Sequence, residues 1–417
     1  MENIIDELNW RGLIKEYSNE ENLKKLFETK QTIYCGFDPS ASSMHVGNFV
    51  MISILMRLQR AGHKIVAIVG GATGMIGDPS GKSKERNLLT PDKVKENTEC
   101  IKKQLERFLD LSNPDNGIIL NNYDWISKIS LLDWLRDTAK FFPINYMLNK
   151  DIVKSRLEAG ISLTEFCYMT LQSYDFKYLH DKYGVNIQIG GNDQWGNLTA
   201  GLDFIRRTEG EESKAECMTA HLITRSDGKK FGKSEDGALF LDPNLTSPYK
   251  LYQFFYNQGD EDSIKYLKVF TFLTKEEITN IEKEHLANLG TRIAQKHLAY
   301  EVTKIIHGEE AAIEAKKMSE ALFSNDFKSL KEESIKELFG SLETKISEPL
   351  ILEDLLITVK AASSKREARE FIKNGAVSIN GEKIQDATKL VDKTSALFNK
   401  YVIIRRGKKN YYLATLD

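Results

Sequence analysis

The first half of the chain alternates between short apolar runs and longer segments with helical spacing. Between about residues 32 and 224, the runs are rich in β-branched residues, and the segments between them repeat apolar residues on one helix face. The pattern predicts strands at Thr32–Phe37, Lys64–Val69, Gly117–Leu120 and Val185–Ile189. Strands that alternate with helices favour an α/β domain with a mostly parallel sheet.

Two of the intervening helices have recognisable starts. Thr90 and Pro91 supply an N-cap followed by a proline at the first helical position. Ser162 and Glu165 have the spacing of a capping box. Both signals predict where a helix begins.

After Ser247 the strand-like runs stop, and amphipathic segments follow one another. Helices are predicted at Ile264–Phe272, Glu276–Leu289 and Ile293–His307. The polar segment from Phe323 to Pro349 is weakly periodic, which is consistent with a linker or with exposed short helices.

A third, compact unit begins near Ile351. Its helix should start at Ser364 and end at Asn374-Gly375, and a hairpin with a type I′ turn at Asn380-Gly381 should follow. Residues 351–417 contain 13 Lys and Arg against 8 Asp and Glu. A basic stripe alone is usually a solvated face, but this helix together with a basic run after the next strand predicts RNA binding. The candidate residues are Lys365, Arg366, Arg369, Lys373, Arg405, Arg406, Lys408 and Lys409.

The composition of the chain excludes several classes of protein. The 417 residues carry 58 Lys and Arg against 60 Asp and Glu, a net charge of −2, which excludes a wholly basic nucleic-acid coat. The four cysteines have no paired spacing, so neither a zinc ribbon nor a disulfide framework is indicated. The N-terminus lacks the features of a signal peptide, and no apolar run is long enough to span a membrane. We therefore expect a cytoplasmic protein with no membrane association.

The first candidate site follows the first strand of the predicted sheet. A loop at Asp38–Ser40 precedes His45, Gly47 and Asn48, which open an apolar helix. A helix start offers unpaired N–H groups and the positive end of the helix dipole, both of which suit phosphate oxygens. His45 can donate a hydrogen bond to phosphate, and Gly47 would let a flat base approach the backbone. Alone, such a motif is more often an ordinary cap.

A glycine-rich stretch, Gly70–Ser83, follows the second strand. It is not a P-loop, because Ile76 stands where the first glycine should be, and it contains no dinucleotide-binding G-x-G-x-x-G. Dense glycine after a buried strand still indicates that the backbone passes close to a ligand or another strand. Asp78 could hold a ligand amine.

The third candidate is the loop Gly228–Ser234, which contains Lys230 and Lys233. Alone, it would be interpreted as a solvated turn. Combined with the helix start at His45, it resembles the two signatures of class I aminoacyl-tRNA synthetases, His-Ile-Gly-His and Lys-Met-Ser-Lys-Ser. Two departures are Asn48 in place of the second histidine and Phe231-Gly232 in place of Met-Ser. Asn can still donate a hydrogen bond and both lysines remain, so we expect activity to be retained.

Further motifs resemble the tyrosyl-tRNA synthetases of the bacterial type. They occur in order along nearly the whole chain as Tyr34–Pro39, Gly71–Gly81, Tyr168-x-x-x-Gln172-x-x-Asp175 and Gly190–Asn197. The C-terminal unit is similar to the S-four-type RNA-binding domain. The resemblance implies an α/β fold with a Rossmann-like catalytic domain and a parallel sheet, then an α-helical domain and a small α+β RNA-binding domain. The expected bounds are 1–225, 226–322, a linker at 323–350, and 351–417.

The resemblance also implies roles for single residues. The catalytic set would be His45, Lys82, Arg86, Lys230 and Lys233. The tyrosine contacts would be Tyr34, Asp78, Tyr168, Gln172, Asp175 and Gln194. The ATP contacts would be Cys35, Asp38, Ser40, His45, Gly47, Asn48, Gly191, Asp193, Lys230, Lys233 and Ser234.

The expected reaction attaches L-tyrosine to tRNA(Tyr) through an adenylate, with ATP as substrate and Mg²⁺ arriving with ATP rather than in a protein site. The resemblance further implies a homodimer. Two alternatives stay open: the sister tryptophanyl enzyme, which Asp175 and the basic C-terminal unit disfavour, and a non-catalytic RNA-binding protein on the same scaffold. Intact His45, Asp78, Lys230 and Lys233 argue against the second.

Overall fold

The structure is a computed structural model that describes residues 3–80, 88–157, 160–210, 213–224, 226, 231–234, 237–407 and 409–417, with backbone only at 152, 155, 233 and 234. The chain forms two compact units. The first comprises residues 1–247 and 258–298, and the second comprises residues 248–257 and 299–417.

The bounds of the elements are as follows. The strands are β1 Ile14–Tyr17, β2 Thr32–Phe37, β3 Lys64–Val69, β4 Gly117–Asn121, β5 Ile187–Gly191, β6 Glu216–Ala220, β7 Lys233–Ser234, β8 Gly237–Ala238, β9 Glu343–Ile346, β10 Leu350–Ile351, β11 Val377–Ile379, β12 Glu382–Lys383, β13 Leu390–Val391, β14 Tyr401–Arg406 and β15 Asn410–Leu416. The helices are α1 Ile4–Trp10, α2 Glu20–Leu26, α3 Val46–Arg60, α4 Thr73–Ile76, α5 Pro91–Glu106, α6 Tyr123–Ile126, α7 Leu131–Asp133, α8 Ile144–Leu148, α9 Asp151–Leu157, α10 Leu163–Tyr183, α11 Trp195–Glu209, α12 Pro248–Tyr256, α13 Asp260–Phe270, α14 Lys275–Ala287, α15 Ile293–His307, α16 Glu309–Ser324, α17 Glu332–Phe339, α18 Leu352–Thr358 and α19 Lys365–Lys373.

The first unit is built on a six-stranded sheet in the order β1-β6-β5-β2-β3-β4. β2 to β6 pair in parallel, and only β1 at the edge is antiparallel. Helices α3 and α5 contact β3, α10 contacts β2, and α11 contacts β5 and β6. Strands covered in this way read as continuous apolar runs, which is why the sequence located β2 to β5. It did not locate β6 or the edge strand β1. The predicted α/β fold is confirmed.

Strand β5 begins two residues later than predicted, and the cause is the preceding helix. α10 ends at Gly184, which has a positive φ of 64°, and the Val185 N–H donates to the Leu179 carbonyl at 3.3 Å. Val185 therefore belongs to the helix cap. The predicted N-caps are found: the Thr90 and Ser162 hydroxyls accept hydrogen bonds from the N–H groups of Lys93 and Glu165.

The second unit combines helices with a five-stranded sheet in the order β12-β11-β14-β15-β9. The segment 323–350 is not a linker. Of the two possibilities that the sequence left open, a linker and short helices, the structure has the second in α17, and it adds a strand, β9, that pairs in parallel with β15. Ile335 and Phe339 of α17 are buried in a core cluster with Tyr401 and Leu413. The polar residues of the segment are its solvent face, and the few apolar ones suffice to fix it. The remaining domain bounds stay a prediction.

The C-terminal helix and hairpin form where the sequence places them. Ser364 caps α19, and Ala368 and Ile372 bury its apolar face in a second core cluster. Asn380 and Gly381 both have positive φ, as a type I′ turn requires. Among the described residues, no helix is long and apolar enough to cross a membrane.

Candidate active site

A cavity of about 1030 Å³ lies at the carboxyl ends of the parallel strands in the first unit. β5 and β3 flank β2 on opposite sides, and such a switch in strand order is where open α/β sheets bind ligands. The structure brings most of the predicted tyrosine and ATP contacts together here. Those that line the cavity are Tyr34, Cys35, Asp38, Ser40, His45, Gly47, Asn48, Asp78, Tyr168, Gln172, Asp175, Gly191, Asp193 and Gln194.

Asp175 is a buried carboxylate held by two donors. The Asn122 Nδ2 donates to its Oδ2 at 2.9 Å, and the Trp125 Nε1 donates to its Oδ1 at 2.8 Å. Burial disfavours the charge and raises the pKa of Asp175 to about 7, while the two hydrogen bonds act in the opposite direction. The Tyr34 side chain is also buried, and burial together with the nearby Asp175 charge raises the pKa of its hydroxyl. A neutral phenol and a carboxylate therefore share one end of the site.

Asp78 lies in a second hydrogen-bonded group. The Gln194 Nε2 donates to its Oδ2 at 2.5 Å, and the Ser80 N–H and hydroxyl donate to its Oδ1 at 2.9 and 2.6 Å. The Asn197 Nδ2 in turn donates to the Ser80 Oγ at 3.2 Å. These bonds fix a carboxylate that lines the cavity, and a fixed carboxylate can hold an ammonium group.

Asp38, which directly follows β2, is hydrogen-bonded to α10. The Tyr168 hydroxyl donates to its Oδ2 and the Thr73 hydroxyl to its Oδ1, both at 2.9 Å. Burial, followed by the Asp38 and Asp78 charges, raises the pKa of Tyr168, so this phenol is neutral. The Tyr168 and Thr73 hydroxyls are thus both held by the Asp38 carboxylate.

Two glycines after β3 lie close to protein side chains. A Cβ at Gly70 would lie 2.2 Å from the Thr73 Oγ1 and 2.4 Å from the Asp38 Oδ1, and one at Gly71 would lie 2.3 Å from the Asn121 Oδ1, at the end of the neighbouring strand β4. Gly70 therefore leaves room for the hydrogen bond between Thr73 and Asp38. Gly70, Gly74 and Gly77 also line the cavity, so the two possibilities that the sequence left open, a ligand and another strand, both remain.

The helix predicted to open at His45 begins there. His45 is the N-cap of α3, and its N–H donates to the Asn48 Oδ1 at 3.0 Å. A Cβ at Gly47 would lie 2.8 Å from the His45 ring, so the glycine lets the ring fold over the first turn. The Val46 N–H is already used, since it donates to the Leu239 carbonyl at 2.9 Å. Asn48 therefore caps the start of α3 by accepting a hydrogen bond from the N-cap residue.

Cys35 is buried, and burial raises the pKa of its thiol well above the ordinary value. It is a neutral hydrogen-bonding group rather than a nucleophile. Within the described parts of the chain, no group of three or more His, Cys, Asp and Glu side chains is placed to hold a metal ion.

Several predicted site residues cannot be placed. Lys82, Arg86 and Lys230 lie outside the described residues, as does Lys408 in the C-terminal unit. For Lys233 and Ser234 only the backbone is described; it forms β7, which pairs with β8. The roles of these residues stay predictions.

Sequence reasoning missed the residues that support the predicted ones. Asn122 and Trp125 hold Asp175, and Thr73 holds Asp38. One signal was available for Asn122, because it directly follows the carboxyl end of β4, at the edge where parallel strands present ligand contacts. Trp125, on the short helix α6, carried no such signal.

Two of the basic side chains proposed to bind RNA are paired with acidic side chains of the same unit. Arg369 forms a bidentate pair with Glu353, at 2.5 and 2.9 Å, and the Lys365 Nζ lies 2.6 Å from Asp354. These acids belong to α18, so spacing within α19 did not reveal them.

The two arginines at the end of β14 also form hydrogen bonds within the protein. Arg405 donates to the Asn325 side chain, and Arg406 donates to the Ala361 carbonyl at 2.5 Å. Exposed candidates with no ion pair among the described residues are Arg366, Lys373 and Lys409.

The chain is similar to tyrosine–tRNA ligases from several bacteria. It is 49% identical over 416 residues to the enzyme of Listeria monocytogenes serotype 4b, covering 99% of each chain. It is 49% identical to the enzyme of Bacillus caldotenax, covering 98% of this chain and 99% of that one.

Among solved structures, a C-terminally truncated mitochondrial tyrosyl-tRNA synthetase of Aspergillus nidulans matches with a TM-score of 0.70 and 31% identity, over 78% of this chain and 95% of that one. Residues 26–324 match the family described as tRNA synthetases class I (W and Y), and residues 334–414 match the tyrosine–tRNA ligase SYY-like C-terminal domain. The chain therefore belongs to the tyrosine–tRNA ligases, class I aminoacyl-tRNA synthetases whose activity is the aminoacylation of tRNA.

Proposed function

We propose that this chain attaches L-tyrosine to tRNA(Tyr) in two steps, through the residues that line the cavity at the carboxyl ends of β2, β3 and β5. One observation carries the proposal. A buried carboxylate with a raised pKa, Asp175, and a neutral phenol, Tyr34, line the same cavity as the start of α3. Such a site can recognise a hydroxyl at one end and phosphate oxygens at the other.

In the first step the carboxylate of tyrosine attacks the α-phosphate of ATP, which forms tyrosyl-adenylate and releases diphosphate. The ribose hydroxyl at the 3′ end of tRNA then attacks the acyl carbon and releases AMP. No protein nucleophile takes part, so catalysis consists of positioning and of neutralising the charge that develops on the phosphates. We assign that task to Ser40 and His45, to Lys82 and Arg86, and to the two signature lysines, Lys230 and Lys233.

Tyrosine selection follows from the two hydrogen-bonded groups. Asp175 and Tyr34 would hold the phenol hydroxyl, while Asp78, Tyr168 and Gln172 would hold the ammonium group. Gln194 acts through Asp78, to which it donates a hydrogen bond. When phenylalanine binds, the buried groups that face the hydroxyl are left without a partner, and this penalty excludes it.

Adenosine would be bound by groups on the nucleotide side of the cavity. Cys35, Gly191 and Asp193 are assigned to the ribose, and Asp38, Gly47, Asn48 and Ser234 complete the ATP contacts. Mg²⁺ is expected to arrive with ATP, because it retains its waters and in nucleotide sites is held largely by the substrate phosphates.

We further propose a cytoplasmic homodimer. Five large apolar side chains between residues 131 and 163 are exposed by 49 to 78%: Leu131, Leu132, Leu135, Ile144 and Leu163. Large exposed apolar side chains are typical of an interface when they form one patch, and the commonest soluble oligomer is a twofold dimer.

Transfer of the tyrosyl group to tRNA is expected to need the C-terminal unit. RNA affinity is dominated by phosphate contacts from Lys and Arg. Arg366, Lys373 and Lys409 are exposed and offer such contacts. Lys365 and Arg369 would have to exchange an acidic partner for a phosphate, which costs part of their contribution.

Charging of a tRNA mixture with each of the twenty amino acids tests the proposal. Tyrosine is expected to be the only amino acid that is attached to the tRNA. Charging with tryptophan would favour the sister enzyme, and RNA binding without any charging would favour a non-catalytic protein.

A further inference from the structure

The signature loop carries a phenylalanine that is buried in an aromatic cluster. The Phe231 ring centroid lies 5.0 Å from that of Phe270, at an interplanar angle of 21°, and 4.8 Å from that of Tyr266, at 60°. Phe231 is only 8% exposed. Phe270 also stacks on Phe49 of α3, at 6.3 Å and 8°. Phe231 is thereby packed against α13 and, through Phe270, against the helix that starts at His45.

The backbone next to Phe231 meets the start of α3. The Gly232 carbonyl accepts a hydrogen bond from the Leu239 N–H at 3.1 Å, and the Leu239 carbonyl accepts one from the Val46 N–H at 2.9 Å. A Cβ at Gly232 would lie 3.4 Å from the Gly47 nitrogen, and the residue has a positive φ of 80°. The distance is an ordinary contact, and it is the positive φ that favours glycine at this position.

The helix that receives the ring is itself firmly held. Arg11 donates to the carbonyls of Lys268 and Leu273, at 3.0 and 2.9 Å, and Arg57 donates to the Thr271 carbonyl. Both arginines are buried. The C-terminal end of α13 is thus fixed to α1 and α3, and the ring packs against a rigid surface.

We propose that Phe231 is a positioning residue for adenylate formation. Its ring fixes residues 231–232 against the start of α3, where His45 is the N-cap. The signature lysines Lys230 and Lys233 adjoin this pair in the sequence. The inference rests on the proposed function. It gives the departure from Met-Ser a physical reason, because a flat ring stacks on Phe270 whereas a methionine would make a softer contact.

Single-turnover formation of tyrosyl-adenylate, together with the dissociation constant for tyrosine, tests the inference. In Phe231→Ala the rate constant should fall roughly ten- to a hundredfold, as expected for the loss of two ring contacts and the packing they fix. The dissociation constant for tyrosine should change less than about twofold, because Phe231 is not among the tyrosine contacts. Phe231→Met should recover most of the rate. Phe323→Ala, which removes a ring that is 75% exposed in the second unit, is the matched control and should change neither value.

A double-mutant cycle separates positioning from direct contact with substrate, since Phe231 also lines the cavity. If the ring acts through α13, Phe270→Leu and Phe231→Ala should be strongly non-additive in the rate constant. Additive effects, an unchanged rate in Phe231→Ala, or an equal loss of tyrosine affinity would each overturn the inference. Thermal unfolding of Phe270→Leu identifies a variant that fails to fold, in which case Tyr266→Leu replaces it in the cycle. If the unaltered protein forms no tyrosyl-adenylate, it is the proposed function that fails.

Discussion

Replacing Trp125 by phenylalanine tests how Asp175 is kept ready for the substrate. The variant removes the Nε1 donor that lies 2.8 Å from the Asp175 carboxylate and keeps an aromatic ring against Tyr178, whose ring centroid is 4.6 Å away. In the proposed function the carboxylate must be ionised to accept the phenol hydrogen. The pKa of Asp175 is about 7, so tyrosine affinity should be full above this pH and should fall as the pH is lowered through it.

The expected size of the effect follows from the lost hydrogen bond. A hydrogen bond to a charged group contributes about 1.5–3 kcal/mol, and a pKa change of one corresponds to about 1.36 kcal/mol. The pH at which tyrosine affinity falls to half should therefore move upward by about 1–2 pH units in the variant. Near pH 7.5 tyrosine should bind roughly tenfold more weakly than to the unaltered protein, and the difference should shrink toward pH 9.

Equilibrium titration with tyrosine between pH 5.5 and 9 measures this midpoint. Tyr178→Phe is the matched control, because it keeps the stacked ring and removes a hydroxyl that is not a partner of Asp175. A midpoint that stays in place in Trp125→Phe, or that moves equally in Tyr178→Phe, would refute the reasoning. A uniform loss of affinity at every pH would show that the indole acts by packing alone.

Three further outcomes are expected. Tyr34→Phe should lower the tyrosine-to-phenylalanine ratio of kcat/KM by the equivalent of about 0.5–1.5 kcal/mol, and an unchanged ratio would exclude Tyr34 as a selectivity contact. Lys233→Ala should slow adenylate formation by orders of magnitude with tyrosine affinity nearly unchanged, because a glycine-flanked lysine is expected to engage as charge develops; an equal loss of affinity in an equilibrium titration would contradict this. Truncation after Ser324 should preserve ATP–pyrophosphate exchange, since the cavity belongs to the first unit, and should abolish tRNA charging; charging at the intact rate would make the C-terminal domain dispensable.

The sequence located the sheet and the cavity because their signals are local. Buried parallel strands are continuous apolar runs, and the residues at their carboxyl ends meet at one edge of the sheet. Tyr168, Gln172 and Asp175 lie three to four residues apart on one helix, α10, so helical geometry alone placed them on one face.

The parts that the sequence could not supply depend on contacts between distant segments. Asn122 and Trp125 reach Asp175 across about 50 residues of chain. Glu353, on a different helix, neutralises Arg369. The segment 323–350 looked like a linker because its core residues are few, and only the pairing of β9 with β15 shows where it belongs.

ATP–pyrophosphate exchange with each of the twenty amino acids in turn tests the central claim most directly. The reaction isolates adenylate formation, and so it reports on the cavity without requiring the C-terminal unit or tRNA. Exchange is expected with tyrosine and only weakly, if at all, with phenylalanine and tryptophan, because in the proposed function Asp175 and Tyr34 hold the phenol hydroxyl. Faster exchange with tryptophan than with tyrosine, or no exchange with any amino acid, would contradict the assignment.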